Sequence, residues 1–381
     1  MATIFYGSCG EGRGHATRVR AVVERLRARH DVVVFAFGDA LALLARAYRG
    51  TGVRVERIPG VRFGYGGDGR VSLARTAAAA TRYLVLLQPL VARLVRLIAS
   101  EKPDLVVTDF EPALPRAARR CGLPVVSIDH QHFLTTEDLG ILPRWLRLHA
   151  WAMGGVVSAY VSDASETVVS SFHHLPLRTG VSNVTQVGPL LRPQIRSAET
   201  TNGGHLVAYF RRSVPERALG AIAGLGLPTR VYGLGALPAR RGLVFLEVDE
   251  SAFAADLAAC RALVTTAGNQ IIGEAIFLGK PVFAVPEPGN FEQAINARLL
   301  GVSGCGAWAH PHAVRSADLE RFLGGSARFQ ANIRRRRRDG TAAAVAAIER
   351  RVSGAIRHGI PFSPGAVALD VGLTPAVAGR R

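Results

Sequence analysis

The chain has few cysteines, almost no lysine and few aromatic residues. Its four cysteines, Cys9, Cys121, Cys260 and Cys305, include no C-x-x-C pair and join no histidine at zinc-finger spacing. Neither a disulfide framework nor a structural zinc is expected, which fits a reducing compartment. No basic, apolar and cleavable leader opens the sequence, because Ala2–Tyr6 runs directly into an apolar strand. The longest apolar stretch, Tyr83–Ile98, is interrupted by Gln88, Pro89, Arg93 and Arg96 and does not read as a membrane span. These absences predict a cytoplasmic protein. Aromatic residues make up 7% of the chain, and no finger, basic zipper or RNA-recognition signature is present, so nucleic acid is not an expected partner.

What is present points elsewhere. A chain of 381 residues, 48% of them hydrophobic, suits two domains better than one. The formal net charge is +18 and is carried almost wholly by arginine, Lys102 and Lys280 being the only lysines. Such an excess favours anionic partners, nucleotides or lipid phosphates among them.

Short apolar runs alternate with amphipathic stretches. Thr3–Tyr6, Val32–Phe37, Val53–Ile58, Leu105–Thr108 and Val125–Asp129 read as strands, with helices at Ala16–Arg29, Ala40–Tyr48, Leu73–Ser100 and Pro112–Cys121. A Gly-rich loop, Gly60–Gly69, precedes the long helix. The rhythm restarts with strands at Leu206–Tyr209, Thr229–Tyr232, Val244–Glu247, Ala262–Thr265 and Val282–Val285, and helices at Glu216–Leu225, Phe253–Ala259 and Gln270–Leu278. Such βα alternation argues parallel sheets. The Pro/Gly-rich join from Gly188 to Gly204 separates an N-terminal Rossmann-like domain, 1–190, from a C-terminal one, 191–357. Residues 358–381 are rich in Gly, Pro and Ala and read as a disordered tail.

Four segments carry chemistry. The first is Gly7–Arg18, which follows the first strand and opens the first helix. Gly12 and Gly14 let backbone amides approach a ligand at a helix N-terminus. The G-x-G-x-G spacing and the position of Asp39 fit a nicotinamide fingerprint poorly. His15 stands where the helix begins. The second is Val106–Pro112, a strand ending in Asp109, which has two readings: partner of His15, or cap, like Glu111, of the helix that follows. The third is Ser127–His132, whose His130 and His132 are acceptor-side candidates together with Glu11 and Glu111. No third ligand stands near the two histidines and no Asp-x-Asp motif is placed for a bridging cation, so no metal is expected.

The fourth is the most specific. Thr265, Thr266, Gly268, Asn269 and Gln270 form a strand-end turn into a helix, which suits a diphosphate. Glu274 lies one turn further on, placed to accept from ribose hydroxyls, and Glu292 and Gln293 follow the next strand, placed to read a sugar ring.

This segment resembles the donor-binding signature of GT-B glycosyltransferases of the UDP-glycosyltransferase type. The match runs through a Gly turn, Glu274, Gly279-Lys280-Pro281, Pro286, Glu292-Gln293 and Asn296. With Gly10–Arg18, Thr108–Pro112, Ser127–His132 and Val187–Pro193, the chain is similar to bacterial and archaeal proteins related to the peptidoglycan N-acetylglucosaminyltransferase, over roughly residues 3 to 310. The resemblance implies an α/β GT-B fold, two Rossmann-like domains with parallel sheets facing a cleft. It implies inverting transfer of a hexose-type sugar from a UDP- or dTDP-sugar to an acceptor hydroxyl, with His15 as base and Asp109 as its partner. The nucleotide sugar is then a substrate and no cofactor is implied. One departure stands out: plant-type members have His where this chain has Thr266, so Thr265, Thr266, Arg192 and Arg211 are the candidate substitutes at the phosphates. A nucleotide-sugar 2-epimerase of the same fold, or a non-catalytic nucleotide-sugar or lipid-binding partner, are the competing readings.

Two basic, apolar stretches, Arg75–Arg96 and Leu142–Trp151, have two readings. One is a patch for a lipid-linked or cell-envelope acceptor at the inner face of an anionic membrane. The other is a core-facing helix with a solvated arginine face. The five-arginine run Arg334–Arg338 reads equally as a phosphate-attracting surface and as a solvated helix.

Overall fold

The computed structural model describes residues 1–61, 64, 72–161, 164–211 and 214–358. Most of the Gly60–Gly69 loop and the tail beyond His358 lie outside the described residues.

The first domain comprises β1 (Thr3–Ser8), α1 (Arg13–Leu26), β2 (Asp31–Ala36), α2 (Gly38–Ala47), β3 (Arg54–Arg57), α3 (Leu73–Glu101), β4 (Leu105–Asp109), α4 (Ala113–Arg120), β5 (Val125–Asp129), α5 (Phe133–Thr136), α6 (Arg144–Tyr160), β6 (Glu166–Ser170) and β7 (Val184–Val187). Its seven strands are parallel in the order β3-β2-β1-β4-β5-β6-β7. Alternate residues of one strand serve opposite faces. Ile4 and Tyr6 pack with α1, while Phe5 packs under α3 and α4. Helix α3 passes through Pro89 without stopping. A proline there forfeits a helical hydrogen bond, but Tyr83, Leu87, Leu90, Val91, Leu94 and Ile98 are buried along one stripe and hold the helix on the sheet. By length and composition Ala74–Glu101 would also suffice to cross a membrane.

After α7 (Pro193–Arg196) the second domain runs β8 (Leu206–Tyr209), α8 (Glu216–Ala223), β9 (Thr229–Tyr232), β10 (Leu243–Leu246), α9 (Glu250–Ala259), β11 (Ala262–Thr265), α10 (Asn269–Phe277), β12 (Val282–Ala284), α11 (Phe291–Ser303), β13 (Gly306–Trp308), α12 (Ser316–Gly324) and α13 (Ser326–Arg336). Its six parallel strands lie in the order β10-β9-β8-β11-β12-β13.

The last helix, α14 (Thr341–His358), returns to the first sheet, although the sequence placed it in the second domain. Its Ala344, Val345, Ala347, Ile348 and Val352 join Ile4, Tyr6 and Ile128 in one core, and Arg350 and Arg351 both bind the buried Glu166 of β6. The chain therefore passes between domains twice, and the two passages touch. Gly340 N donates to Pro189 O at 2.9 Å. A Cβ at Gly340 would lie 2.0 Å from Gly188 O, so only glycine fits there.

Candidate functional site

In a parallel sheet the strand order reverses at one point, and ligands bind beyond the carboxyl ends of the two strands that flank it. In the first sheet those strands are β1 and β4, and the residues in register at their ends are Ser8 and Asp109. In the second they are β8 and β11, ending at Tyr209 and Thr265. Asp109 ends a strand at the first of these points, and Thr265 ends one at the second.

At the first point, Asp109 is fully buried and meets two partners from α1. Its Oδ1 lies 2.8 Å from His15 Nδ1 and accepts from Arg18 Nη2 at 2.7 Å, and its Oδ2 accepts from Arg18 Nε at 3.2 Å. Burial is the largest influence on His15 and opposes its charge. An ionised Cys9 and the Asp109 carboxylate outweigh burial and raise the imidazole above its ordinary value, with Arg18 pulling back. Directly after Asp109, Phe110 takes a left-handed φ of 55°. That conformation costs a non-glycine residue about 1–3 kcal/mol. It sets the Phe110 ring parallel to His15 at 6.5 Å and stacks it on Tyr160 at 4.7 Å.

Of the glycines before His15, Gly10 is required by space and Gly12 by its backbone conformation. A Cβ on Gly10 would lie 2.3 Å from the Phe37 ring. Gly12 caps α1 with φ 75°, and a Cβ there would lie 3.1 Å from the Arg211 guanidinium. Arg211 of the second domain pairs with Glu11 across the cleft, and Arg20 pairs with Glu250. Gly14 is open, with Gln270 Cβ 3.9 Å from where its own Cβ would stand.

At the second point, Ala267 turns the chain with φ 69°, and α10 begins at Asn269. Thr265 Oγ1 and Gln270 Oε1 are buried there with no hydrogen-bond partner among the described residues. Buried polar atoms are nearly always satisfied, so the Thr265 hydroxyl, beside a helix N-terminus, suits an anionic ligand, and Gln270 Oε1 suits a donor on the same ligand. Thr266 is buried in the same turn.

The other donor-side candidates are committed within the protein. Asn269 binds Phe172 N, Ser171 Oγ and Ser170 O, tying α10 to the end of β6. Gln270 Nε2 donates to Leu190 O and to Glu274. Glu274, read from the sequence as a ribose acceptor, accepts instead from Arg192 Nε at 3.1 Å and Arg192 Nη2 at 3.0 Å. Both residues are buried, so Arg192 answers a carboxylate rather than a phosphate. Gln293 accepts from Glu287 N. Glu292 is half-buried at the start of α11.

The acceptor-side candidates divide similarly. Glu111 is fully buried and accepts from Ala113 N and Leu114 N, so it caps α4 instead of meeting an acceptor. His132 is held by Asp129, 2.6 Å from its Nδ1, and is likewise buried. His130 points the other way: its Nε2 lies 3.1 Å from Asn296 Oδ1 on α11, while Nδ1 has no partner among the described residues. Asn296 Nδ2 in turn donates to Ala267 O. Among the described residues no group of three or more His, Cys, Asp or Glu side chains is placed to hold a metal.

Arg18, Phe110 and Glu250 were missed by the sequence reading. Arg18 carried a signal, since positions 15 and 18 share one face of a helix. The strain at Phe110 had none.

A model of the family described as Glycosyl transferase family 1 matches residues 2–325. An uncharacterized glycosyltransferase of Methanosarcina acetivorans is 24% identical over 327 residues, covering 78% of this chain and 83% of that protein. Arabidopsis thaliana UGT89C1, solved with UDP-L-rhamnose, is similar with a TM-score of 0.67 at 14% identity, over 93% of this chain and 99% of its own. CalG4, the calicheamicin glycosyltransferase, is similar with a TM-score of 0.60 at 21% identity, over 93% and 99% of the two chains. The fold is GT-B.

Proposed function

The chain belongs to glycosyl transferase family 1, and on that premise we propose that it transfers a hexose-type sugar from a UDP- or dTDP-linked donor to an acceptor hydroxyl, with inversion. The observation that carries this reading is the His15–Asp109 pair at 2.8 Å on the switch point of the first sheet. With its Nδ1 proton donated to Asp109, His15 presents a lone pair at Nε2. The acceptor hydroxyl gives its proton to Nε2 as its oxygen attacks the anomeric carbon. The bond from that carbon to the diphosphate oxygen breaks, and the nucleoside diphosphate leaves with the electron pair. The amides opening α10, with Thr265 and Thr266 beside them, are suited to stabilise the charge it carries away. The UDP-L-rhamnose complex of the plant neighbour supports a nucleotide-sugar donor.

The same reading places the acceptor at a membrane, at its cytoplasmic face. Helix α6 has no acidic residue, and its Leu148, Trp151 and Val156 are exposed beside exposed Arg144 and Arg147. Exposed aromatic and aliphatic groups among arginines suit an anionic lipid surface. Binding to anionic vesicles should exceed binding to neutral ones and weaken as salt rises. Equal, negligible binding to both removes the membrane from the proposal.

The central test is substitution of the base. His15→Ala should lose about 10²- to 10⁴-fold in transfer rate and keep its affinity for UDP or dTDP, because the donor site lies on the other domain. Retained transfer in His15→Ala, or no stabilisation of the intact protein by either nucleotide, rejects the reading.

A further inference from the structure

Asp109 faces two cationic groups at once, and one of them has no part in the steps above. Arg18 lies one turn after His15 on the same face of α1 and is 3% exposed. Its Nη2 is 2.7 Å from Asp109 Oδ1 and also 2.9 Å from His15 Nδ1. Its Nε reaches the other carboxylate oxygen at 3.2 Å. The guanidinium thus grips both oxygens and leaves the carboxylate little freedom to rotate.

A buried carboxylate left alone with His15 would hold the imidazolium form, and a base that keeps its proton accepts none from a substrate. A guanidinium is charged at every relevant pH. Placed against Nδ1, it repels the imidazolium directly and draws Asp109 toward itself. Among the described residues no other cation is within hydrogen-bond reach of the His15–Asp109 pair. Tyr6 from β1, Cys9 just after it and Asp129 from the end of β5 face the cluster, as does Glu292 from α11. His130, also at that end of β5, is driven toward its neutral form by burial.

We propose that Arg18 is a positioning residue of the transfer reaction, fixing the Asp109 carboxylate against His15 Nδ1 and limiting how tightly His15 Nε2 holds a proton. The inference rests on the reading of His15 as base.

The test is titration of His15 by nuclear magnetic resonance of imidazole-labelled protein, which needs no substrate. In Arg18→Met the midpoint should rise by about 1 unit or more, the scale of a nearby charge, while Arg18→Lys should stay close to the native midpoint. Because Arg18→Met strands Asp109, a second comparison avoids the buried charge. Asp109→Asn keeps Arg18 and should titrate about 1 unit below the Arg18→Met/Asp109→Asn double variant. An unmoved or lowered midpoint on losing Arg18, in either background, overturns the proposal and leaves Arg18 a packing residue. A different result, full transfer by His15→Ala, would remove the base reading while leaving the titration itself unchanged, so the two failures are distinguishable.

Discussion

Arg192 closes on Glu274 with two parallel hydrogen bonds, Nε to Oε1 at 3.1 Å and Nη2 to Oε2 at 3.0 Å, inside the second domain where both are buried. A carboxylate so engaged is a structural partner before it is a ligand contact. Glu274→Ala should therefore destabilise the protein by about 3–5 kcal/mol, because it strands a buried guanidinium. Replacing both with methionine should recover most of that loss. Denaturant melts of the three proteins decide the point: a Glu274→Ala protein as stable as the native one would show that the pair contributes nothing.

Asn296 joins the two domains at the cleft floor, with His130 on one side and the Ala267 carbonyl on the other. Removing it leaves two buried polar groups unanswered. Asn296→Ala should cost about 1–3 kcal/mol and widen the particle in small-angle scattering. An unchanged radius would mean that other contacts, such as Glu11–Arg211, hold the cleft on their own.

The raised His15 has a consequence for rate. A base must be unprotonated, so kcat/KM should climb with pH along an acid limb lying above the ordinary imidazole value of about 6.5. Asp109→Asn removes one of the two anions that raise His15, while burial and Arg18 still depress it. Its limb should move to lower pH as its maximal rate falls. A limb that moves upward would contradict the assignment.

Glu111 shows linkage of the opposite kind to a salt-bridged acid. Burial, only partly offset by the amides of Leu114 and Ala113, lifts it from 4.5 to about 7 in the folded protein. The folded chain then binds its proton more tightly than the unfolded chain, so this group's contribution to stability falls as pH rises between those values. Glu111→Gln should flatten the slope of stability against pH in that window by about one proton. Glu111→Ala should lose about 1 kcal/mol of helix cap at low pH, and less as pH rises through that window.

Much of the architecture was legible because parallel strands buried on both faces leave unbroken apolar runs. Phe5, Val34, Val107, Val126, Leu206 and Val264 all sit in such runs. The strands that escaped notice lack them. β7 reads Val-Thr-Gln-Val at a sheet edge, and β13 is Gly-Ala-Trp. β6 opens on Glu166, a charge buried only because Arg350 and Arg351 arrive from α14. His15 and Asp109 could be paired from their positions at a strand end and a helix start. Glu274 was read by spacing as a ligand contact, but its partner, 82 positions away in sequence, is supplied by tertiary packing. No local pattern announces such a partner.

The contact between Gly340 and the Gly188–Pro189 segment fixes how the cleft can gape. Two strands of chain bind the halves together, and both pass through one point. Opening the cleft about that point must also break Glu11–Arg211, Arg20–Glu250 and Asn296–His130, which span the same two halves. A side chain added at Gly340 would collide with the Gly188 carbonyl and force the two passages apart.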